Sequence, residues 1–492
     1  MSGPFNVSVR VTDAGTGQPT PLRVRFTDSD GHYLPPLGRL GSLAANADLA
    51  AAEGNVLLGK DRLAAYIDGS CEVPLPAGPI HVEISKGPEY QPLRTVVELP
   101  PGKMALRFTV ERWTDLRTQG WYSGDTRVHG LTPHAALLEG AGEGLAVVNL
   151  LAWQTNNLLA FSGQQPALTS SDCQVVVNTF NTHAVLGWLA LLNCHRIVFP
   201  LSFGGADGPD RWTLGDWCTQ CHRKGGLAVW SGLGIPGAPW YGEALAELIL
   251  GKVDALELPH FGEGLLREYY PLLDCNLRTT LVAGSGKLDA RGVVGRPRTY
   301  AQLHPGEEFS YKNWIEAVRT GRTFVTSGPL LSFAVNGQEP GAKLNLPAGT
   351  QKVHVRAEAK SAVPFERLEV VVNGVAVAAV EPESSPFTAL LEGELPIWES
   401  GWLAARCLRV PTSSAEPVAD YSAHTSPVYV QLAEAPHAAD PIQLAHLTDQ
   451  LNRVLHWAEH GALYENDKQR ADLTGIFQEA SAALVRQASG IS

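Results

Sequence analysis

A multidomain chain of mixed class is predicted, with an α/β unit set between two all-β units and followed by helices. Three observations carry this. The 492 residues exceed what one ordinary core holds. Apolar alternation of period two marks both flanks, and apolar strands followed by helical stretches mark the middle.

From Phe5 to Arg112 the chain runs through Val7, Val9 and Val11, Leu22, Val24 and Phe26, Ile80, Val82 and Ile84, then Leu106, Phe108 and Val110, with Gly, Pro and Asp between the runs. This is the pattern of antiparallel strands, and residues 1–112 are expected to form a β-sandwich. After Trp113 the apolar runs are 145–152, 197–201, 227–230, 253–258 and 280–283, separated by helix-length segments. Residues 113–330 are therefore expected to form βα units around a parallel sheet or barrel, whose ligands gather at the strand C-termini. Alternation returns over 352–359, 367–372, 401–410 and 426–432, which predicts a second β-sandwich over residues 331–432. Residues 433–492 carry Leu444, Leu447, Leu451, Leu455 and Trp457 at helical spacing. They predict amphipathic helices, with the Thr474/Gly475 region as the break between two.

Composition narrows the partners. A hydrophobic fraction of 44% with 18% charged residues fits folded cores rather than disorder. The net charge of −12 opposes sequence-independent binding to a phosphate backbone, so no nucleic-acid partner is expected. Residues 1–10 lack a basic and apolar leader pattern, and no apolar run reaches the roughly 20 residues of a membrane helix, so a cytoplasmic location without membrane association is expected. Seven scattered cysteines fit reduced thiols better than a disulfide framework. Cys218-Thr-Gln-Cys221-His222 matches a haem-attachment spacing, but no export signal or further ligand pair supports haem, zinc or redox chemistry there.

The segment Gly120-Trp-Tyr-Ser-Gly-Asp125-Thr-Arg127-Val-His129 resembles the opening signature of the CehA/McbA family of PHP-type metal-dependent hydrolases. Leu186-Gly187-Trp188-Leu189-Ala-Leu-Leu-Asn193, Gly225-Gly-Leu-Ala-Val-Trp230, Gly251-Lys-Val-Asp-Ala-Leu-Glu257 and Gly321-Arg-Thr-Phe-Val-Thr-Ser-Gly-Pro-Leu-Leu331 are similar to later family landmarks, in the family's order. The resemblance covers roughly residues 1 to 432. It implies a PHP-like distorted β/α barrel flanked by the two sandwiches, in which metal ions activate water for hydrolysis of an ester, amide or phosphoester.

Several positions depart from the family pattern. Arg127 stands where the first histidine of a His-x-His pair is expected, and a guanidinium has no lone pair to donate. Trp188 replaces the histidine of the Gly-His stretch. Ser231-Gly-Leu-Gly-Ile-Pro236 replaces an Ala-His-Pro-like turn, and Gly286 and Lys287 follow Ser285 where Ser-Asp is usual. Asp125 and His129 remain, and with Glu257 and His260 they could hold one divalent metal, Zn, Mn or Fe, or none. Arg127 and Lys287, entering the same volume, are candidates to balance these acids or hold an anionic small molecule. Two readings follow: a ligand-binding pseudoenzyme with lost or strongly altered catalysis, or an active hydrolase with a reduced or rearranged metal site. A binding role carried by the sandwiches alone is a third reading. Other histidines, such as His183 and His195, and the tryptophans of the middle segment read as structural residues, except Trp188, which occupies a ligand position and is expected to partly fill the pocket; oligomeric state is not specified.

Overall fold

The computed structural model describes residues 4–43, 53–59, 62–153, 157–231, 241–258, 265–383, 387–409, 421–433 and 435–488. It is of mixed α/β class with strands predominating, in several sheets, and it ends in a helical segment. The chain divides into two compact units. The first comprises Met1–Leu150, Pro166–Val176 and Gly284–Arg298; the second comprises Leu151–Gln165, Val177–Ala283 and Thr299–Ser492. The segment 113–330 thus contributes to both.

In the first unit, strand Phe5–Asp13 pairs antiparallel with Ser70–Leu75 and parallel with Ala105–Val110. A second sheet orders Asn55–Leu58, Arg62–Ile67, Leu22–Thr27, Gly78–Ser85 and Leu93–Leu99. The period-two alternation explains the packing: Val7, Val9 and Val11 from one sheet share a core with Val24, Phe26, Ile80 and Val82 from the other. The unit continues through strand Trp121–Val128 and helix Pro133–Gly142, whose Thr132 cap accepts the Ala135 N–H and whose first position is proline. Val147 and Val148 of the next strand pair in parallel with Gly124 and Asp125.

In the second unit, strands Leu227–Ser231, Ala255–Glu257 and Thr280–Val282 run parallel, with Ser231, Glu257 and Val282 in one register row. Strand Gly187–Leu192 pairs antiparallel with Leu227–Ser231. The expected strand over 197–201 is not formed; Pro200 interrupts it, since it lacks a ladder donor, and a two-residue strand Ser202–Phe203 follows instead. Further along, Gln351–Ser361 lies between Leu330–Val335 and Phe387–Ile397. Arg367–Val372 pairs with both Val375–Val380 and Gly401–Leu408.

The terminal helices are Pro441–His460 and Asp467–Ala488. The break lies at 461–466 rather than at Thr474/Gly475. Asn466 Oδ1 accepts the Gln469 N–H and starts the second helix, whereas Thr474 bonds back to the Arg470 carbonyl and Gly475 faces open space, so both are tolerated inside it. Leu447, Leu451, Val454, Phe477 and Leu484 join one core with Leu245, Leu248 and Tyr269, so this helical pair packs on the second unit. Among the described residues no helix is long and apolar enough to cross a membrane.

Candidate functional site

Asp125 and Arg127 lie on strand Trp121–Val128, where alternation sends both side chains to the same side, and His129 follows just beyond its end. Asp125 is fully buried. Its Oδ1 accepts the N–H groups of Arg127 at 3.0 Å and Ser285 at 2.9 Å, and its Oδ2 accepts the Gly295 N–H at 2.7 Å. Burial pushes the carboxyl up to about 6 while these donors pull it the other way. The carboxylate therefore clamps both ends of the segment 284–298 to the strand.

The same segment is laced down elsewhere. Gly286 donates to the Arg127 carbonyl at 2.8 Å and His129 donates its backbone N–H to the Lys287 carbonyl at 2.7 Å. Arg298 reaches the carbonyls of Gly295 at 2.7 Å and Glu143 at 2.9 Å. Glu143 in turn accepts Tyr66 O–H at 2.8 Å and the Arg23 guanidinium at 2.5 Å. Two glycines are required by close approach. A Cβ at Gly284 would lie 2.5 Å from Arg127 N, and one at Gly286, where φ is +60°, would lie 2.9 Å from Arg127 Nη2. The absence of a side chain at 286 is what admits the Arg127 guanidinium.

Lys287 is buried and its Nζ lies 2.6 Å from Glu139 Oε2 and 3.0 Å from the Gly292 carbonyl oxygen. Glu139 Oε1 accepts the Gly54 N–H at 3.0 Å. Burial pushes the Glu139 carboxyl up, opposed by the Lys287 ammonium. Of the two cations expected to meet an anionic ligand, Lys287 is thus already neutralised by an internal acid. Glu139 was not singled out from sequence, although one signal was present: an acid among the small and apolar residues of 135–142, on a helix too apolar to expose it.

Glu257 is buried at the end of its strand in the second unit. His260 and the turn 232–236 lie outside the described residues. Trp188 is half-buried, with the Phe180 ring 6.1 Å away edge-on, and Phe180 meets Trp153 at 6.3 Å in the same manner. Cys218 and Cys221 are buried on helix Leu214–Arg223, where burial holds both thiols well above their ordinary range, and His222 pairs with Asp254 at 2.8 Å. All seven cysteines are free. His183 is a buried partner of Asp210 at 2.7 Å, with its Nδ1 accepting two backbone N–H groups. His195 Nδ1 lies 2.8 Å from the Lys224 carbonyl oxygen.

Whether the residues at the signature fit a divalent metal turns on their donors. Asp125 spends its carboxylate on three N–H groups, and Arg127 brings a fixed positive charge to the next same-side position, while Lys287 on the neighbouring rung is taken up by Glu139. The set does not suit a dication. Among the described residues, one group of three metal-type side chains has its ligand atoms within 4.8 Å of one another: Asp28, Asp30 and His32, in an exposed turn. There Asp28 Oδ1 already accepts the N–H groups of Asp30 and His32, both at 2.9 Å.

No family model matches the chain, and no curated protein matches it. Among solved structures, the crystal structure of PsfC from Pseudomonas syringae PB-5123 is similar over 40% of this chain and 88% of that one, at 18% identity and a TM-score of 0.30.

Proposed function

We propose that the chain is a divergent member of the CehA/McbA-like group, built on a PHP-like β/α barrel, in which metal-dependent hydrolysis has been lost and a ligand-binding role remains. The observation that carries this is the use of Asp125. The acid that would hold a metal instead accepts three backbone N–H groups and fixes the segment 284–298. The Lys287–Glu139 pair supports it, because it converts a position of the metal-binding loop into an internal strut. The free cysteines are compatible with the reducing, cytoplasmic setting that belongs to this reading.

The competing reading is an active hydrolase of an ester, amide or phosphoester with a rearranged site. It requires turnover that depends on Asp125 or His129. The test is a screen of aryl esters, aryl amides and aryl phosphoesters with the purified full chain, with and without added Zn²⁺, Mn²⁺ or Fe²⁺. The pseudoenzyme reading expects rates equal to the protein-free control under every condition. Multiple-turnover hydrolysis that disappears in His129→Ala would replace it with the hydrolase reading.

A further inference from the structure

The second unit contains a cavity of about 450 Å³ whose lining includes Arg278, Lys343, Gln431, His437, Trp402 and Tyr429. The volume is in the range of small-molecule sites. None of its lining residues is Asp or Glu, in a chain whose net charge is −12. Both cations are exposed, and neither forms an ion pair among the described residues. The Arg278 guanidinium is stacked 5.1 Å from the Tyr429 ring centroid, which orients its N–H fork without consuming it.

His437 adds a third polar group. Its Nδ1 lies 3.0 Å from the Ser400 carbonyl oxygen, which can only accept, so Nδ1 carries the proton. Nε2 is then a buried acceptor with no partner among the described residues. Asp274, which is not among the lining residues, is engaged by Trp402 Nε1 at 2.9 Å. Tyr429 and Pro436, which keep accessible surface, supply the cavity's apolar side, while Leu273, Trp402 and Val430 lie beneath in the core.

We propose that this cavity binds a small organic oxyanion, a carboxylate or phosphate head on an apolar or aromatic body, with Arg278 and Lys343 holding the head and Tyr429 and Pro436 meeting the body. The site is separate from the signature residues and does not depend on their chemistry. Two sources of the head share this recognition, and the arms of the test separate them.

The experiment is calorimetric titration of the full chain with phenyl phosphate, benzoate, inorganic phosphate and the neutral benzyl alcohol. Repeats use Arg278→Gln and Lys343→Gln, exposed positions whose fold is checked by circular dichroism and melting temperature. Saturable binding of phenyl phosphate or benzoate is expected, with whichever binds tighter naming the head. Each variant should weaken it by about tenfold or more, as expected for loss of a charge-assisted hydrogen bond. Inorganic phosphate should bind more weakly and benzyl alcohol not at all. No binding of either organic anion, binding undiminished in both variants, or inorganic phosphate binding as tightly as phenyl phosphate would each overturn the proposal.

Discussion

The Lys287 ammonium lies 2.6 Å from Glu139 Oε2, and neither side chain is more than 1% exposed. Such a pair is not a large net source of stability, because desolvation offsets much of the attraction. Removing one partner, however, strands a buried charge. Glu139→Gln or Lys287→Met should each cost about 3–5 kcal/mol, measured by urea unfolding. The double replacement Glu139→Leu with Lys287→Met should recover most of that loss. Two additive single losses would mean that the pair does not act as a unit.

Asp125→Ala leaves the N–H groups of Arg127, Ser285 and Gly295 without their acceptor. The Gly295 bond is buried and the other two partly so; at about 1–3 kcal/mol for a fully buried donor stranded and less for the others, the loss should be on the order of 2–3 kcal/mol. Amide hydrogen exchange should speed up at Ser285 and Gly295 before the rest of the first unit. Unchanged protection at both amides would show that the clamp is not what holds the segment.

Gly286→Ala adds a Cβ 2.9 Å from Arg127 Nη2 at a backbone φ of +60°. The left-handed conformation alone costs about 1–2 kcal/mol for a residue with a side chain. Thermal unfolding of Gly286→Ala in an Arg127→Ala background should show that this backbone cost persists while the steric part disappears.

His424 is buried, and burial holds its pKa at about 3, with the Arg406 charge adding to the shift and the Thr425 carbonyl opposing it. Nδ1 lies 2.6 Å from the Thr425 carbonyl oxygen and so carries the proton. Nε2 therefore accepts from Tyr270 O–H at 2.9 Å. The folded form thus keeps the ring neutral, while the unfolded chain takes up a proton below about 6.5. The unfolded state binds more protons in that interval, so this residue makes stability fall as pH drops from about 6.5 toward 3, by up to ~1.4 kcal/mol per pH unit. Above 6.5 its contribution is fully present. Denaturant midpoints for His424→Gln should show a correspondingly shallower acid dependence; an identical slope would contradict the assignment.

The outer strands were legible because alternation is a local signal: Val7, Val9 and Val11 face one core and their neighbours do not. The terminal helices were legible as amphipathic stretches, but their break was not. Thr474 and Gly475 look like a stop in sequence, yet the Asn466 cap decides where the second helix begins. At the signature, the residues were visible and their partners were not. Asp125 meets Ser285 and Gly295 across more than 150 positions, and Glu139 meets Lys287 across a similar span. A single sequence carries no local trace of such pairs. The discontinuous make-up of the first unit, which draws in 284–298, escaped for the same reason.

The central claim is that Asp125 serves the fold rather than a metal. Its most direct test is elemental analysis of the untagged full chain, purified without chelator and again after incubation with Zn²⁺, Mn²⁺ and Fe²⁺. The account predicts metal well below one equivalent in each case and the same content in His129→Ala. A stoichiometric metal that is lost in His129→Ala would contradict it.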